Sequence, residues 1–362
     1  MASKLPLSGF EVIMTAKVDT GLIYTRLMKR RVWWLSGVAV ALAGMTVIDI
    51  LVGPAFLNVF DVLNALVKPE GASDPTVYVI VHSIRLPMTL MAMIVGASLG
   101  VAGVQMQTIL GNPLASPYTL GFSAAAGFGA AVAILFGLKL PIIPELTVPI
   151  AAFVAAGLAC GLVYGVAHMR GVTAEIMILA GIATLFLFQS LQSLIQYLAA
   201  PEILQEIVFW LFGSMLKATW FSVTVSSSVL AFSLLGLAGD SWKLTALRLG
   251  DDRARSLGVD VQRLRLKVFL VVSLLTAGAV AFVGTIGFVG LVAPHIARML
   301  VGEDQRVLTP VSGIMGAIIM VGASVVSKLI SPGAVVPIGI VTAVAGVPFL
   351  FALILFRKKG HW

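Results

Sequence analysis

WWLSGVAVALAGMTVIDILV, residues 33–52, holds a single ionisable side chain, Asp49, in a run that is otherwise apolar or small. Coiled as an α-helix, a run of about 20 residues crosses the hydrocarbon core of a bilayer, about 30 Å thick. A basic cluster, Arg26, Lys29, Arg30 and Arg31, stands just before it. Ala39-Val-Ala41 offers the small residues of a cleavage site. The run is, however, about twice the length of a signal-peptide core and lies far from residue 1. It reads as a first spanning helix whose basic end stays in the cytoplasm.

Similar runs recur at about 84–110, 118–138, 146–168, 174–198, 219–239, 264–284, 287–300, 307–330 and 335–356. The pattern predicts an all-α polytopic membrane protein of about ten transmembrane helices. The run at 287–300 is short and interrupted by Gly and Pro, so a half-helix or a strong tilt is expected there. Across the 362 residues, 59% are hydrophobic and 11% charged, with a mean hydropathy of +1.05. Soluble domains carry roughly 25% charged residues, so a soluble enzyme, a nucleic-acid binder and a disordered chain are excluded. The continuous runs are also unlike the alternating strands of about 10 residues that build membrane barrels. The 36 glycines and 16 prolines suit helices that pack closely or break within the membrane. Cys160, the one cysteine, sits in an apolar stretch and allows no intrachain disulfide.

Ten spans place both termini on one side, and the basic residues test which side. Of the 24 lysines and arginines, only Lys68, Arg85, Lys139, Lys217 and Lys328 fall outside; the rest fall on the side of the termini. That asymmetry makes the termini cytoplasmic. Residues 1–31 are expected as a cytoplasmic N-terminal segment, its Lys17–Arg31 part lying on the membrane surface, and 32–362 as one transmembrane domain. Residues 53–83 read as an outer loop and 199–218 as an amphipathic helix at the outer interface. Residues 240–267 form the largest inner segment.

No phosphate-cradling G-x-x-x-x-G-K-[ST], H-E-x-x-H or G-x-S-x-G occurs, and His82, His168, His295 and His361 are scattered singly. The spans are nearly free of ionisable groups, Asp49 and Glu175 lying at span ends, which argues against chemistry within the membrane. Gln189, Gln192, Ser193 and Gln196 recur on one helical face, a polar stripe that either bonds helices together or walls a pathway. The pathway wall is the favoured reading, three glutamines exceeding what packing needs. Gln105 and Gln107 cannot share a face, so at most one is a pathway candidate. Gly157, Gly161 and Gly165, like Gly96 and Gly100, read as close helix contacts.

The inner segment Leu249-Gly-Asp-Asp-Arg-Ala-Arg-Ser-Leu-Gly-Val259 reads as a short capped helix. Asp251 and Asp252 stand in its first turn, Arg255 towards its last, and Gly258 suits a left-handed C-cap. It is either a connecting turn or a helix that inserts into a groove on a cytosolic partner.

Five further stretches share an order with this one: Ile84-Arg-Leu-Pro87, Gly111-Asn-Pro-Leu-Ala-Ser-Pro117, Trp210-Leu-Phe-Gly-Ser214, Gly284-Thr-Ile-Gly-Phe-Val-Gly-Leu-Val-Ala-Pro-His-Ile-Ala-Arg298 and Pro337-Ile-Gly-Ile-Val-Thr342. Together they resemble the permeases of type II ABC importers of the FecCD type, which import iron–siderophores, haem and vitamin B12. The resemblance implies a fold like the vitamin B12 permease, in the inner (cytoplasmic) membrane. It also implies a homodimer, or pseudo-dimer, with the pathway between the copies. Two cytosolic ATPase subunits, carrying the ATP and Mg, would dock on Leu249, Gly250, Asp251, Asp252, Arg253, Arg255, Leu257 and Gly258. A substrate-binding protein would dock outside on Arg85 and Lys328, with Met88 standing where the family has a second arginine. Asn112 and Leu114 match the inner gate; the loop Gly171–Glu175 is a candidate second inner constriction, although its sequence departs from the vitamin B12 permease there. No cofactor, metal or nucleic acid is expected on this chain. The resulting expectation is a permease for a ferric siderophore, with haem or a corrinoid as alternatives. The rivals are an ion-driven secondary transporter, which would keep a carboxylate at mid-membrane, and a membrane-embedded enzyme, which would need a catalytic pair.

Overall fold

The computed structural model describes residues 20–53, 57–67, 75–330 and 334–356, and among them every regular element is helical. In chain order these are α1 (Thr20–Leu51), α2 (Val59–Val67), α3 (Pro75–Val79), α4 (Leu86–Ile109) and α5 (Phe122–Leu135). Next come α6 (Thr147–Arg170), α7 (Ala174–Leu198), α8 (Pro201–Leu211), α9 (Trp220–Ala238) and α10 (Ser241–Leu247). The last five are α11 (Asp251–Ser256), α12 (Val261–Val283), α13 (Val289–Val301), α14 (Gln305–Leu329) and α15 (Ile338–Phe356). Each of the ten apolar runs falls on one of these helices. Seven are long and apolar enough to cross a membrane, while α5, α13 and α15 are the shorter apolar ones. The short run at 287–300 is therefore not alone.

Two segments depart from the sequence reading. Helix α1 begins at Thr20, so the basic cluster lies on the same continuous helix as the first span; Lys17 lies outside the described residues. Arg31 pairs with Asp304 at 2.9 Å, fastening this end to the start of α14. The expected outer loop 53–83 holds α2 and α3, and α3 passes through a π-helical stretch, Ile80–Arg85, directly into α4. Val62 and Ala65 on α2 bury against Val77 and Val81, which is why this segment folds rather than loops.

Helix α4 is the axis of the bundle, with most of its length buried. Small residues permit this. Gly96 faces the Gly316 carbonyl, Gly100 the Ser312 carbonyl and Gly103 the Gly290 carbonyl, each so closely that a Cβ would overlap the facing oxygen. With little hydrophobic drive inside lipid, such backbone contact and interhelical hydrogen bonds hold helices together. The reading of Gly96 and Gly100 as contacts agrees with this packing.

The reading of Gly157, Gly161 and Gly165 is corrected, because nothing lies within 4 Å of a Cβ built at any of them. Helix α6 has a second small-residue face, including Ala152, Ala156 and Ala159, and that is the buried one. Gln105 and Gln107 are also both corrected as pathway candidates, since each is fully buried. Gln105 donates to Thr309 Oγ1 at 2.7 Å and Gln107 accepts from Arg298 at 2.9 Å, so both bond helices together.

Candidate functional site

Three of the sequence stretches meet in space. Ser214 N donates to the Val283 carbonyl at 2.7 Å, Ile338 N to Gly213 at 3.0 Å and Gly339 N to Phe212 at 3.1 Å. Gly213 and Gly284 take positive φ, 73° and 80°, and so does Phe288 at 66°, the one such non-glycine among the described residues. A bulky residue in that region is strained and is held there by its surroundings. Here Phe288 is held by Gly346, where a Cβ would collide with the ring. Irregular backbone at membrane depth is tolerated where it lines a cavity. A cavity of about 580 Å³ adjoins this junction, walled by Tyr118, Thr119, Phe212, Thr285, Phe288 and Ile340 among others.

The polar stripe on α7 does not line this cavity. Gln189 and Ser193 are exposed, Gln192 and Gln196 half-buried, and the Gln192 amide lies over Gly127 on α5. The cavity wall comes from the three motif segments together with Ser116, Tyr118 and Thr119 and with Ala343 and Val344 of α15. The glycines and prolines of the motif segments, which interrupt apolar helices, are the sequence signal that could have found it.

At the inner end, Asn112 Oδ1 accepts from Leu114 N at 2.9 Å, closing an Asx turn after Gly111, whose φ is 60°. Leu114 is half exposed. Beside this turn a cavity of about 360 Å³ is lined by Arg248, His295, Arg298, Glu303 and Phe349 as well as Gly111, Pro113 and Leu114. Glu303 accepts from Arg248 at 2.9 Å and lies 3.1 Å from Arg298 Nε.

The short inner helix is present as α11, flanked by Gly250 at φ 100° and Gly258 at φ 82°. Val259 N reaches back to the Ala254 carbonyl at 3.1 Å and Gly258 N to Arg255 at 2.9 Å, satisfying the last carbonyls. Arg255 pairs with Asp252 at 3.0 Å, and Ala254 is fully buried beneath the helix. Leu249 and Leu257, at 56% and 52% exposed, flank it and face away from the fold. Sequence reasoning gave Asp251 a helix-dipole role; its carboxylate is in fact gripped by Arg265 through two bonds of 2.7 Å. Arg265 is a site residue that sequence reasoning did not single out, because it sits in the first turns of a spanning helix among other cations.

Asp240, buried between α9 and α10, accepts from Lys243 at 2.7 Å and Lys267 at 2.5 Å. Burial alone pushes its carboxyl up, but hydrogen bonds and charge from the two lysines outweigh this and hold it below the ordinary carboxylate range. A depressed carboxylate stabilises the fold above its unfolded pKa of about 4 and loses that contribution as pH falls through the lower folded value. The gap in thermal midpoint between the wild-type chain and Asp240→Asn should therefore be constant near neutrality and close below about pH 4. A gap that widens on acidification would contradict this.

The outer side corrects the expectation for Arg85 and Lys328. Both are buried, at 3% and 5% exposed, and neither presents its charge to an arriving protein. Lys328 Nζ donates to Asp49 Oδ1 at 2.8 Å and to the Asp49 carbonyl at 2.9 Å. Arg85 donates to the carbonyls of Ile50 and Leu51 at 2.8 and 2.9 Å, closing the end of α1. A carboxylate at membrane depth takes whatever cation is within reach. Among the described residues, the exposed outer cations are Lys139 and Lys217.

Comparison with known proteins bears on this arrangement. The model of the FecCD transport family matches residues 39–356. The chain belongs to the FecCD transport family. Among its relatives, the Fe(3+)-citrate import system permease protein of Bacillus subtilis is 34% identical, covering 87% of this chain and 91% of that one. The cobalamin import system permease protein of Halobacterium salinarum is 36% identical, covering 78% and 75%. A solved structure titled as an inward-facing metal-chelate type ABC transporter superposes with a TM-score of 0.79 at 31% identity, covering 89% of this chain and 99% of that one. This FecCD chain is thus an ABC importer permease, a transport subunit and not itself an enzyme, built as a multi-span protein of the cytoplasmic membrane.

Proposed function

We propose that this permease works as a homodimer driven by two cytosolic ATPase subunits and carries a ferric siderophore handed over by a substrate-binding protein outside. The observation that carries the reading is α11, a capped helix with Ala254 buried below it and two exposed leucines beside it. Leucines exposed beside so short a charged helix suit insertion into a partner's groove. The cavity beside the motif junction has Ile340 and Val344 on its wall, 37% and 69% exposed, so a second copy of the chain would complete its enclosure. Its wall is aromatic, aliphatic and hydroxyl-bearing and carries no carboxylate or imidazole, so beyond the single phenol of Tyr118 it lacks the set of anionic donors that a naked ferric ion would demand. Iron would therefore pass as an already coordinated chelate, with specificity set largely by the binding protein.

Two measurements test this. In proteoliposomes holding the whole complex, ATP-dependent uptake should be greatest for a ferric hydroxamate or catecholate, and smaller for haem or cobalamin. Uptake preferring haem or cobalamin would move the assignment to those alternatives, and uptake that follows an ion gradient without ATPase would remove the reading. Leu257→Asp places a charge on an exposed position, so the chain should fold while ATPase co-purification is lost and uptake falls by about tenfold or more. Retained co-purification would detach α11 from the ATPase.

A further inference from the structure

The last turn of α4, just before the Gly111–Leu114 turn, is held from two sides by ion-pair chains that both end on the segment around α11. On one side Arg265 of α12, 5% exposed, donates through Nε to the Ile109 carbonyl at 2.8 Å and through Nη1 to the Val172 carbonyl at 3.3 Å. Its two terminal nitrogens also grip Asp251, the first residue of α11. On the other side Arg298 of α13 donates to Gln107 at 2.9 Å and meets Glu303, which in turn holds Arg248, the residue before Leu249. Gln107 and Ile109 thus each tie the end of α4 to one flank of the inner helix.

We propose that these two chains are the transmission of the importer, with Arg265 and the Arg248–Glu303–Arg298 relay positioning the gate turn according to where the ATPases hold α11. The inference rests on the ATP-driven reading above. A bidentate arginine–carboxylate pair is directional and charge-assisted, so displacing Asp251 either drags Arg265 with it or breaks both bonds. Arg265 bonds three inner elements at once: α11, the end of α4 and the 171–173 turn before α7. Both inner constrictions would then move as one. A purely structural plug at a buried site would be met by an apolar side chain at lower desolvation cost. The Glu303 relay acts from the opposite side and resists rotation of the α4 end about the Arg265 contact.

The test uses the full complex in proteoliposomes, with wild type, Arg265→Met, Arg265→Lys and Glu303→Gln, measuring ATP hydrolysis, uptake and the ATP-driven change in distance between spin labels placed at position 114 of the two copies. Arg265→Met should keep hydrolysis within about twofold while uptake and the distance change fall about tenfold, the magnitude of a lost coupling term. Arg265→Lys, which keeps the charge without the fork, should rescue little. Glu303 is half exposed, so Glu303→Gln tests the relay without endangering folding and should give a smaller uncoupling of the same kind. Hydrolysis and uptake falling in parallel in Glu303→Gln, or an Arg265→Met complex whose label distances still switch with ATP, would overturn the proposal. Wild-type uptake that ignores ATP would instead overturn the reading beneath it.

Discussion

Lys328→Met should lower the stability of the folded permease by about 3–5 kcal/mol, and Asp49→Leu added to it should recover most of that loss. The Asp49 side chain is fully buried, and it accepts from Lys328 at 2.8 Å on one oxygen and from Thr89 at 2.5 Å on the other. Removing the ammonium alone leaves a carboxylate at membrane depth with the Thr89 hydroxyl as its hydrogen-bond donor and the charge of Arg85 nearby, but without its hydrogen-bonded counter-ion. The cost is thus that of a buried carboxylate stripped of its directly bonded ammonium, which exceeds the net worth of the pair. Removing both charges leaves Thr89 free to bond its own helix backbone and Arg85 still seated on the carbonyls of Ile50 and Leu51. The cycle is read from thermal midpoints of the detergent-solubilised chain and its three variants. Additive losses, with the double variant the least stable, would show that the two side chains act independently.

That pair also marks where the sequence was legible. Apolar length placed the ten helices, and local chemistry placed α11, because Asp251, Asp252 and Gly258 act within a turn or two of one another. The stretches that meet at the larger cavity read in sequence only as carriers of the family resemblance, and the pathway reading fell on the α7 glutamines, because the convergence of those stretches depends on contacts across the fold. What needed the fold was every partner distant in sequence: Asp49 and Lys328 lie 279 positions apart, and Arg265 and Ile109 lie 156 apart. A lone carboxylate near the outer end of one span and a lone lysine near the outer end of another could have been paired on depth alone. Lys328 instead read as a docking group because the family resemblance placed it where a binding protein meets the permease, and its lone position at an outer span end agreed. The α6 error has a different cause. Gly157, Gly161 and Gly165 follow helical spacing as well as the alanines do, and spacing does not reveal which of two small-residue faces meets a neighbour.

The two kinds of glycine should therefore respond to the same substitution with opposite sign. Gly316→Ala puts a methyl against the Gly96 carbonyl, a backbone atom that moves only if α4 and α14 separate. Overpacking of this sort costs about 1–3 kcal/mol, and the loss should appear as a lower thermal midpoint. Gly161→Ala meets nothing within 4 Å, so the methyl brings only the lower backbone entropy of an alanine helix, a gain of up to about 1 kcal/mol. Gly96→Ala and Gly316→Ala combined should cost less than their separate losses added, because the first separation of the helices makes room for the second. A Gly316→Ala chain as stable as Gly161→Ala would mean that α4 and α14 are not in backbone contact. The polar bonds of Gln105 across that same interface would then have to be placed anew.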